Sequence, residues 1–93
     1  MQHILIIEDD RIIAESIEFI LEKDSFSCQW FNNGGESLNY LDNNKVDLIL
    51  LDVGLPDMSG FDVLRKVRLK SNIPVIIISA RDDESDQVLG LEG

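Results

Sequence analysis

Residues 48–52 have the sequence Leu-Ile-Leu-Leu-Asp, in which four apolar residues precede an aspartate. Two more runs of four apolar residues occur at positions 4–7 and 75–78, and both are rich in isoleucine. Runs this short and this apolar are typical of strands that are buried on both faces of a parallel sheet. The three runs therefore predict the centre of an α/β domain.

Amphipathic segments of helical length separate the predicted strands. In the first segment, four apolar residues recur with helical periodicity and are expected to face the core: Ile13, Ile17, Ile20 and Leu21. Asp10 stands just before this segment, where its carboxylate can cap the helix start. The first helix is therefore predicted to follow the first strand directly.

The rest of the chain continues the alternation of strands and helices. Residues 26–31 alternate in polarity and predict a second strand, at an edge of the sheet. Residues 33–36 begin a short helix that is expected to end at Leu41, and Ser59 is expected to cap another. Acidic residues 82–84 place negative charge at the start of a last helix. This order predicts a parallel sheet with right-handed crossovers and helices on both faces.

Length and charge limit the possible functions. The chain has 93 residues, of which 18 are acidic and 8 are basic, so its formal net charge is −10. This length corresponds to one small domain. Unaided binding to nucleic acid is excluded, because it depends on cationic contacts to phosphates, and the net charge also argues against docking on anionic lipid. The acidic part, residues 1–62, is expected to attract a metal ion or a basic protein surface.

Cysteine usage and hydropathy predict a soluble, cytoplasmic protein. The single cysteine, Cys28, cannot form an internal disulfide, which fits a reducing compartment. The amino terminus lacks the features of a signal peptide. No apolar run exceeds four residues, whereas a membrane span needs roughly 18–20.

Polar side chains follow three of the predicted strands. Glu8 and Asp9 follow the first strand, Asp52 follows the third, and Ser79 follows the fourth. Ligands of open α/β sheets bind outside the carboxyl ends of the strands, so these side chains should converge if the strands are neighbours. Three carboxylates in one pocket would repel each other, and a divalent cation would remove that repulsion. Hard oxygen ligands with room for water favour Mg²⁺.

Each of these residues has a simpler explanation when it is taken alone. An acidic triplet such as residues 8–10 commonly caps a helix and compensates its dipole. An aspartate after a strand, such as Asp52, commonly forms a turn, and Ser79 alone carries no signal. Their occurrence together at the ends of three parallel strands is what indicates a site.

The same residues lie in motifs that resemble the receiver domain of bacterial two-component response regulators. The similar stretches are residues 4–10 (ILIIEDD), 50–60 (LLDVGLPDMSG) and 75–81 (VIIISAR), and the likeness covers the whole chain. Residues 88–93 (VLGLEG) further resemble regulators whose output is a winged-helix DNA-binding domain. The resemblance implies a CheY-like, flavodoxin-like three-layer α/β/α receiver domain over residues 1–93.

The resemblance also implies roles for individual residues. Asp52 would accept a phosphoryl group from a phosphohistidine of a sensor histidine kinase. Glu8 and Asp9 match the acidic pair that holds Mg²⁺, and Asp52 and the main-chain carbonyl of Gly54 match further ligands. Ser79 matches the residue whose hydroxyl bonds a phosphoryl oxygen. The implied function is a phosphorylation-dependent switch, not an enzyme, that controls transcription through an output domain outside this sequence.

One part of the family pattern has no counterpart in the sequence. The family continues into a fifth strand, which ends in a lysine that pairs with the phosphoryl group, and into a fifth helix. The sequence given ends at Gly93, so we expect a C-terminally incomplete domain with strand order 2-1-3-4. Residues 75–78 would then form an exposed apolar edge, which predicts self-association or partial unfolding.

Other classes of protein fit the sequence less well. A phosphatase of the haloacid dehalogenase type needs Asp-x-Asp after the first strand, which residues 8–10 do not supply. A nucleotide-binding domain would need a glycine-rich phosphate loop, which the sequence lacks. An interaction module without switching remains an alternative, which trapping of a phosphoryl analogue would distinguish. Two residues of the second strand, Cys28 and Trp30, are assigned to packing. Neither His3, which lies far from the acidic end of the first strand, nor Tyr40 is assigned to a site.

Overall fold

The segments predicted to be strands form one parallel sheet in the computed structural model of the chain, which describes residues 1–78. The strand order is 2-1-3-4, as predicted. The elements are β1 (His3–Ile7), α1 (Arg11–Lys23), β2 (Ser27–Phe31), α2 (Gly34–Asn43), β3 (Leu48–Asp52), α3 (Gly60–Lys70) and β4 (Val75–Ile78). The last predicted helix, which begins at residues 82–84, lies outside the described residues.

The centre of the sheet is buried on both faces, because the four apolar residues of β1 are each at most 2 % exposed, whereas β2 and β4 at the edges are only partly buried. Leu5 and Ile7 of β1 pack in the layer that contains residues of α2 and α3. Ile4 and Ile6 point the other way and pack against Ala14 of α1. The result is the predicted three-layer α/β/α arrangement. None of the helices in residues 1–78 has the length and apolar composition needed to cross a membrane.

Side-chain caps define where α1 and α2 begin. The carboxylate of Asp10 accepts hydrogen bonds from the backbone N–H groups of Ile12 and Ile13, at 2.8 and 3.2 Å. Asn33 Oδ1 accepts from the N–H of Glu36 at 2.8 Å, and Asn33 Nδ2 donates to the Glu36 carboxylate at 2.8 Å. Both predicted caps are confirmed. They satisfy N–H groups that have no partner within the helix.

The prediction that Ile20 faces the core is wrong, because its side chain is 60 % exposed. Ala14 is buried, and Ile17 and Leu21 pack with it against the sheet. At 3.6 residues per turn, Ile20 lies roughly 120° around the helix from Ala14. The contact stripe of α1 is therefore narrower than the apolar stripe of its sequence.

The predicted end of α2 at Leu41 is wrong, because the helix continues to Asn43. Two asparagine side chains account for the extra residues. Asn43 Nδ2 donates to the carbonyl of Asn39 at 3.1 Å, and Asn44 Nδ2 donates to the carbonyl of Tyr40 at 3.0 Å. The last turn of a helix leaves carbonyl groups without N–H partners, and these side-chain amides supply them.

His3 connects β1 to three other segments. Its Nδ1 lies 2.8 Å from Ser27 Oγ of β2, and its Nε2 lies 2.6 Å from the Tyr40 hydroxyl of α2. Its backbone N–H donates to the carboxylate of Asp47, just before β3, at 2.8 Å. These contacts lie at the amino ends of the strands, away from the acidic end, and give His3 and Tyr40 a structural role that the sequence did not predict.

The packing of β3 makes a stability prediction. Replacing the fully buried Leu51 with alanine should lower the free energy of unfolding by about 2–5 kcal/mol, because it leaves a cavity beneath α3. Leu69→Ala is the matched control, because Leu69 is 84 % exposed and its truncation should cost less than about 0.5 kcal/mol. Urea unfolding of both variants provides the measurement, and equal losses would contradict the described core.

Candidate functional site

The register between β1 and β3 brings two acidic residues side by side. Ile7 is paired with Leu51, so the next residues, Glu8 and Asp52, lie at the same level at the carboxyl edge of the sheet. Both are buried, with 2 % of Glu8 and 7 % of Asp52 exposed. The structure therefore places a pair of buried carboxylic acids where open α/β sheets bind their ligands.

Glu8 is held in place through its backbone and its side chain. Its N–H donates to the carbonyl of Phe31 at 3.1 Å, and its carbonyl accepts from Trp30 Nε1 at 2.8 Å. Its carboxylate accepts from the N–H of Asp10 at 2.9 Å. Trp30 packs in the layer with α1, as predicted, and in addition anchors the residue that enters the site.

Burial raises the pKa of Glu8 from its ordinary value of 4.5 to about 7. The hydrogen bond from the N–H of Asp10 opposes this shift, and the nearby Asp52 carboxylate adds to it. Burial and a neighbouring negative charge both disfavour the ionised form of an acid. A cation at this edge would relieve both effects, so the two residues fit a site for a small hard metal ion.

Three carboxylates were predicted to converge, and in the described residues two of them do, those of Glu8 and Asp52. Asp9 directly follows Glu8, but its side chain is exposed. Within residues 1–78, no group of three or more His, Cys, Asp or Glu side chains is arranged to hold a metal ion. The strand register explains the pair, because it levels Glu8 with Asp52 and leaves Asp9 beyond the sheet. Ser79 lies outside the described residues.

The loop after β3 folds back onto the end of its own strand. Gly54 and Ser59 form an antiparallel bridge, and the N–H of Gly60 donates to the carbonyl of Val53 at 3.0 Å. A Cβ atom at Gly60 would lie 2.4 Å from the carbonyl oxygen of Asp52, which no side chain could tolerate without a backbone shift. Gly60 therefore fixes the backbone position from which the Asp52 carboxylate projects.

Asp57 ties the same loop to α2. Its two carboxylate oxygens accept from the N–H groups of Gly34 and Gly35 at 2.8 and 2.9 Å. These hydrogen bonds, first that of Gly34, lower the pKa of Asp57. A Cβ atom at Gly34 would lie 2.5 Å from the sulfur of Met58. The role of Asp57 is not predicted from the sequence, and its only trace there is the pair of glycines at the start of α2, which leaves room for another chain segment.

The family model described as "Response regulator receiver domain" matches residues 4–92. The chain belongs to this family. Response regulator receiver domains are signalling domains and not enzymes in the ordinary sense. The sequence resemblance is therefore confirmed at the level of the family.

Curated relatives of this receiver domain are regulatory proteins of bacteria. The sensory transduction protein RegX3 of Mycobacterium tuberculosis H37Rv is 41 % identical over 92 residues, which cover 99 % of this chain and 40 % of that protein. The transcriptional regulatory protein CseB of Streptomyces coelicolor is 41 % identical over 90 residues, which cover 97 % and 38 %. The chain spans about two fifths of the length of these relatives.

Solved structures of receiver domains have the same fold. The receiver domain of the Francisella response regulator 1452 superposes with a TM-score of 0.85 at 30 % identity, covering 98 % of this chain and 76 % of that one. A CheY-like receiver domain from Methanospirillum hungatei gives 0.82 at 32 % identity, covering 87 % and 66 %. The flavodoxin-like fold class predicted from the sequence is thus confirmed.

The raised pKa of Glu8 predicts how stability depends on pH without divalent metal. Between about pH 4.5 and 7 the folded receiver domain keeps a proton that the unfolded chain releases. The free energy of unfolding should therefore fall as the pH rises through 7, by on the order of 1–3 kcal/mol. Glu8→Gln should remove this part of the pH dependence, as measured by urea unfolding in chelator at pH 5 and pH 8.

Glu15→Gln is the matched control for Glu8→Gln. Glu15 is exposed and pairs with Arg11 at 3.0 Å on α1, and an exposed pair of this kind contributes little to stability. This variant should retain the pH dependence of the wild type. Identical pH profiles for Glu8→Gln and the wild type would contradict the described burial of Glu8.

Proposed function

We propose that residues 1–93 act as a phosphoacceptor domain, in which Asp52 accepts a phosphoryl group from a phosphohistidine of a sensor histidine kinase. The main support is the burial of Asp52 beside Glu8 at the carboxyl edge of a receiver-family sheet. No histidine or cysteine follows β1 or β3 to offer another nucleophile there within residues 1–78. Asp52 ends its strand within residues 50–60, the stretch that resembles the receiver motif, and this resemblance favours Asp52 over Glu8 as the acceptor.

The proposed reaction is an in-line displacement at phosphorus. A carboxylate oxygen of Asp52 attacks, the P–N bond to the kinase imidazole breaks, and the imidazole nitrogen leaves with the electron pair. The product is an acyl phosphate on Asp52. Phosphoryl transfer depends mainly on positioning and on neutralisation of charge. Positioning comes from β3 and from the backbone of Gly60, which packs against the carbonyl of Asp52.

Charge is the remaining difficulty, because a phosphoryl group brings more negative charge to a site that already contains Glu8 and Asp52. We propose that Mg²⁺ is held by Asp9, Asp52 and the Gly54 carbonyl, with Glu8 acting through a bound water. Mg²⁺ typically takes one or two carboxylates together with water and phosphate oxygens, so it does not need three carboxylates around one point, and the exposed Asp9 and the buried Asp52 would supply two. When bound, the ion neutralises charge on the transferring phosphoryl group.

The comparisons support the proposed partners of this domain. One similar structure is of the histidine kinase ThkA in complex with the response regulator TrrA, with a TM-score of 0.81 at 28 % identity, covering 86 % of this chain and 70 % of that one. Among the longer relatives, CseB is named as a transcriptional regulatory protein. We propose that DNA is contacted by an output domain, because the net charge of −10 disfavours direct binding. Ser79 stays a prediction for the hydroxyl that senses the phosphoryl group.

Magnesium should raise the melting temperature of the protein. At one to ten times its Kd, the ion should add about 0.4–1.4 kcal/mol to the free energy of unfolding. Asp9→Asn should reduce this response and change the metal-free melting temperature little, because the Asp9 side chain is exposed. Asp24→Asn, an exposed substitution at the end of α1, is the control and should respond as the wild type does. Equal responses of all three proteins would exclude Asp9 as a ligand.

Phosphorylation of Asp52 is the direct test of the proposed function. With Mg²⁺ and a small phosphodonor, the protein should gain one phosphoryl group that is labile in alkali, and Asp52→Asn should abolish the gain. Asp10→Asn is the matched control, because asparagine also caps helices and α1 should remain intact. Intact-mass spectrometry measures the modification. Equal labelling of Asp52→Asn and the wild type would refute the proposal, whereas no labelling of a folded wild type would favour the interaction-module alternative.

A further inference from the structure

A groove lies between the carboxyl-terminal halves of α2 and α3, at the opposite end of the sheet from Asp52. Its volume is about 580 Å³, within the range of about 300–1,000 Å³ that is usual for small-molecule sites. The segments that lead into β3 and β4 close its base. None of the residues assigned to the phosphoacceptor site lines this groove.

The lining of the groove is largely apolar. Six apolar side chains contribute to it: Leu38, Leu41, Val46, Val67, Leu69 and Ile73. Val46 and Val67 belong to the buried core, so the floor of the groove is the outer surface of the core itself. Leu69 is 84 % exposed at the rim. An exposed leucine beside an apolar concavity gives a ligand apolar surface to cover.

The rim of the groove is positively charged in a chain whose net charge is −10. The charged residues that line it are three lysines and one acid: Lys45, Lys66, Lys70 and Asp42. Lys70 Nζ lies 3.1 Å from the carboxylate of Asp42, whereas neither Lys45 nor Lys66 forms an ion pair with another residue of positions 1–78. Positively charged lysines at the carboxyl end of a helix interact favourably with the helix dipole, which explains why basic residues occur there. The dipole does not explain the apolar groove that the lysines surround.

The wall formed by α3 is held in shape by one internal contact. Arg68 Nη1 donates to the carbonyl of Ile73 at 2.7 Å, which fixes the segment between α3 and β4 against the helix. Arg68 is therefore occupied with the backbone, and the charge that faces a ligand comes from the lysines. The walls of the groove are therefore the carboxyl ends of α2 and α3 and the segment between α3 and β4, which Arg68 holds in place.

We propose that this groove binds an amphipathic organic anion of small-molecule size, such as a medium-chain or aryl carboxylate. The apolar body would cover Leu69 and the floor of the groove, and the carboxylate would lie at the lysine rim. The ligand is chosen as an anion because its charge is complementary to the lysines at the rim. The chain as a whole, with a net charge of −10, repels anions and attracts cations, so any preference of the groove for an anion would have to come from these lysines.

Octanoate, octanol and octylammonium are the matched probes, because they share an apolar chain and differ in charge. Titrations are followed by the backbone amide shifts of the protein. Octanoate should give saturable one-to-one shifts at residues 38–46 and 66–73, and the other two probes should bind at least about fivefold more weakly, the size expected for one ion pair at a wet surface. Equal or tighter binding of octylammonium would overturn the proposal, as would the absence of saturable shifts with octanoate.

Substitutions at the rim test where the anion binds. Lys66→Gln should weaken octanoate binding by roughly fivefold, whereas Lys23→Gln removes the same charge from α1 and should leave the binding unchanged. Leu69→Ser should also weaken binding, and Ile12→Ser is its control because Ile12 is exposed on α1. Equal effects of a substitution and its control would overturn the proposal. Asp52→Asn should bind octanoate normally, so this result is independent of the phosphoacceptor proposal.

Discussion

The pairing of Ile7 with Leu51 is the constraint on which the site depends. A strand register is strongly specified where a face of the strand is buried, because a slip by one residue would move every side chain to the opposite face. In this sheet, the same register that aligns the apolar residues of β1 and β3 also brings the next two residues together, and both are acids. The unfavourable burial of Glu8 beside Asp52 is therefore supported by the core beneath it, and it leaves the edge of the sheet ready for a positive charge.

The strands could be predicted because short apolar runs of this kind fit few structures other than buried strands. The helix starts could be predicted because Asp10 and Asn33 are residue types that cap helices. The details that failed depend on contacts between elements. Ile20 satisfies helical periodicity but is exposed. The width of the buried stripe depends on how α1 packs against the sheet, and the sequence of the helix alone does not determine that packing. The end of α2 was misplaced because Asn43 and Asn44 have low helix propensity, and only their side-chain hydrogen bonds compensate.

The site was predictable where position along a strand determines it, as for Glu8 and Asp52. The exposure of Asp9 was not predictable, because the direction of a side chain beyond a strand end depends on the local turn. Asp57 was missed because its partners, Gly34 and Gly35, lie more than 20 positions away in sequence. A hydrogen bond of such long range leaves only an indirect trace, the two glycines that make room for it. The lysine-rimmed groove likewise arises only when α2 and α3 come together.

The contact between Asp57 and α2 couples the stability of the loop after β3 to that of the first turn of α2. The first two N–H groups of α2 are satisfied by a side chain from the loop that follows Asp52, so opening of that loop leaves both N–H groups without their partner. Breaking of this contact should speed the exchange of the Gly34 and Gly35 amide protons with solvent. The exchange rates of these two amide protons on α2 therefore report how often the loop after Asp52 opens.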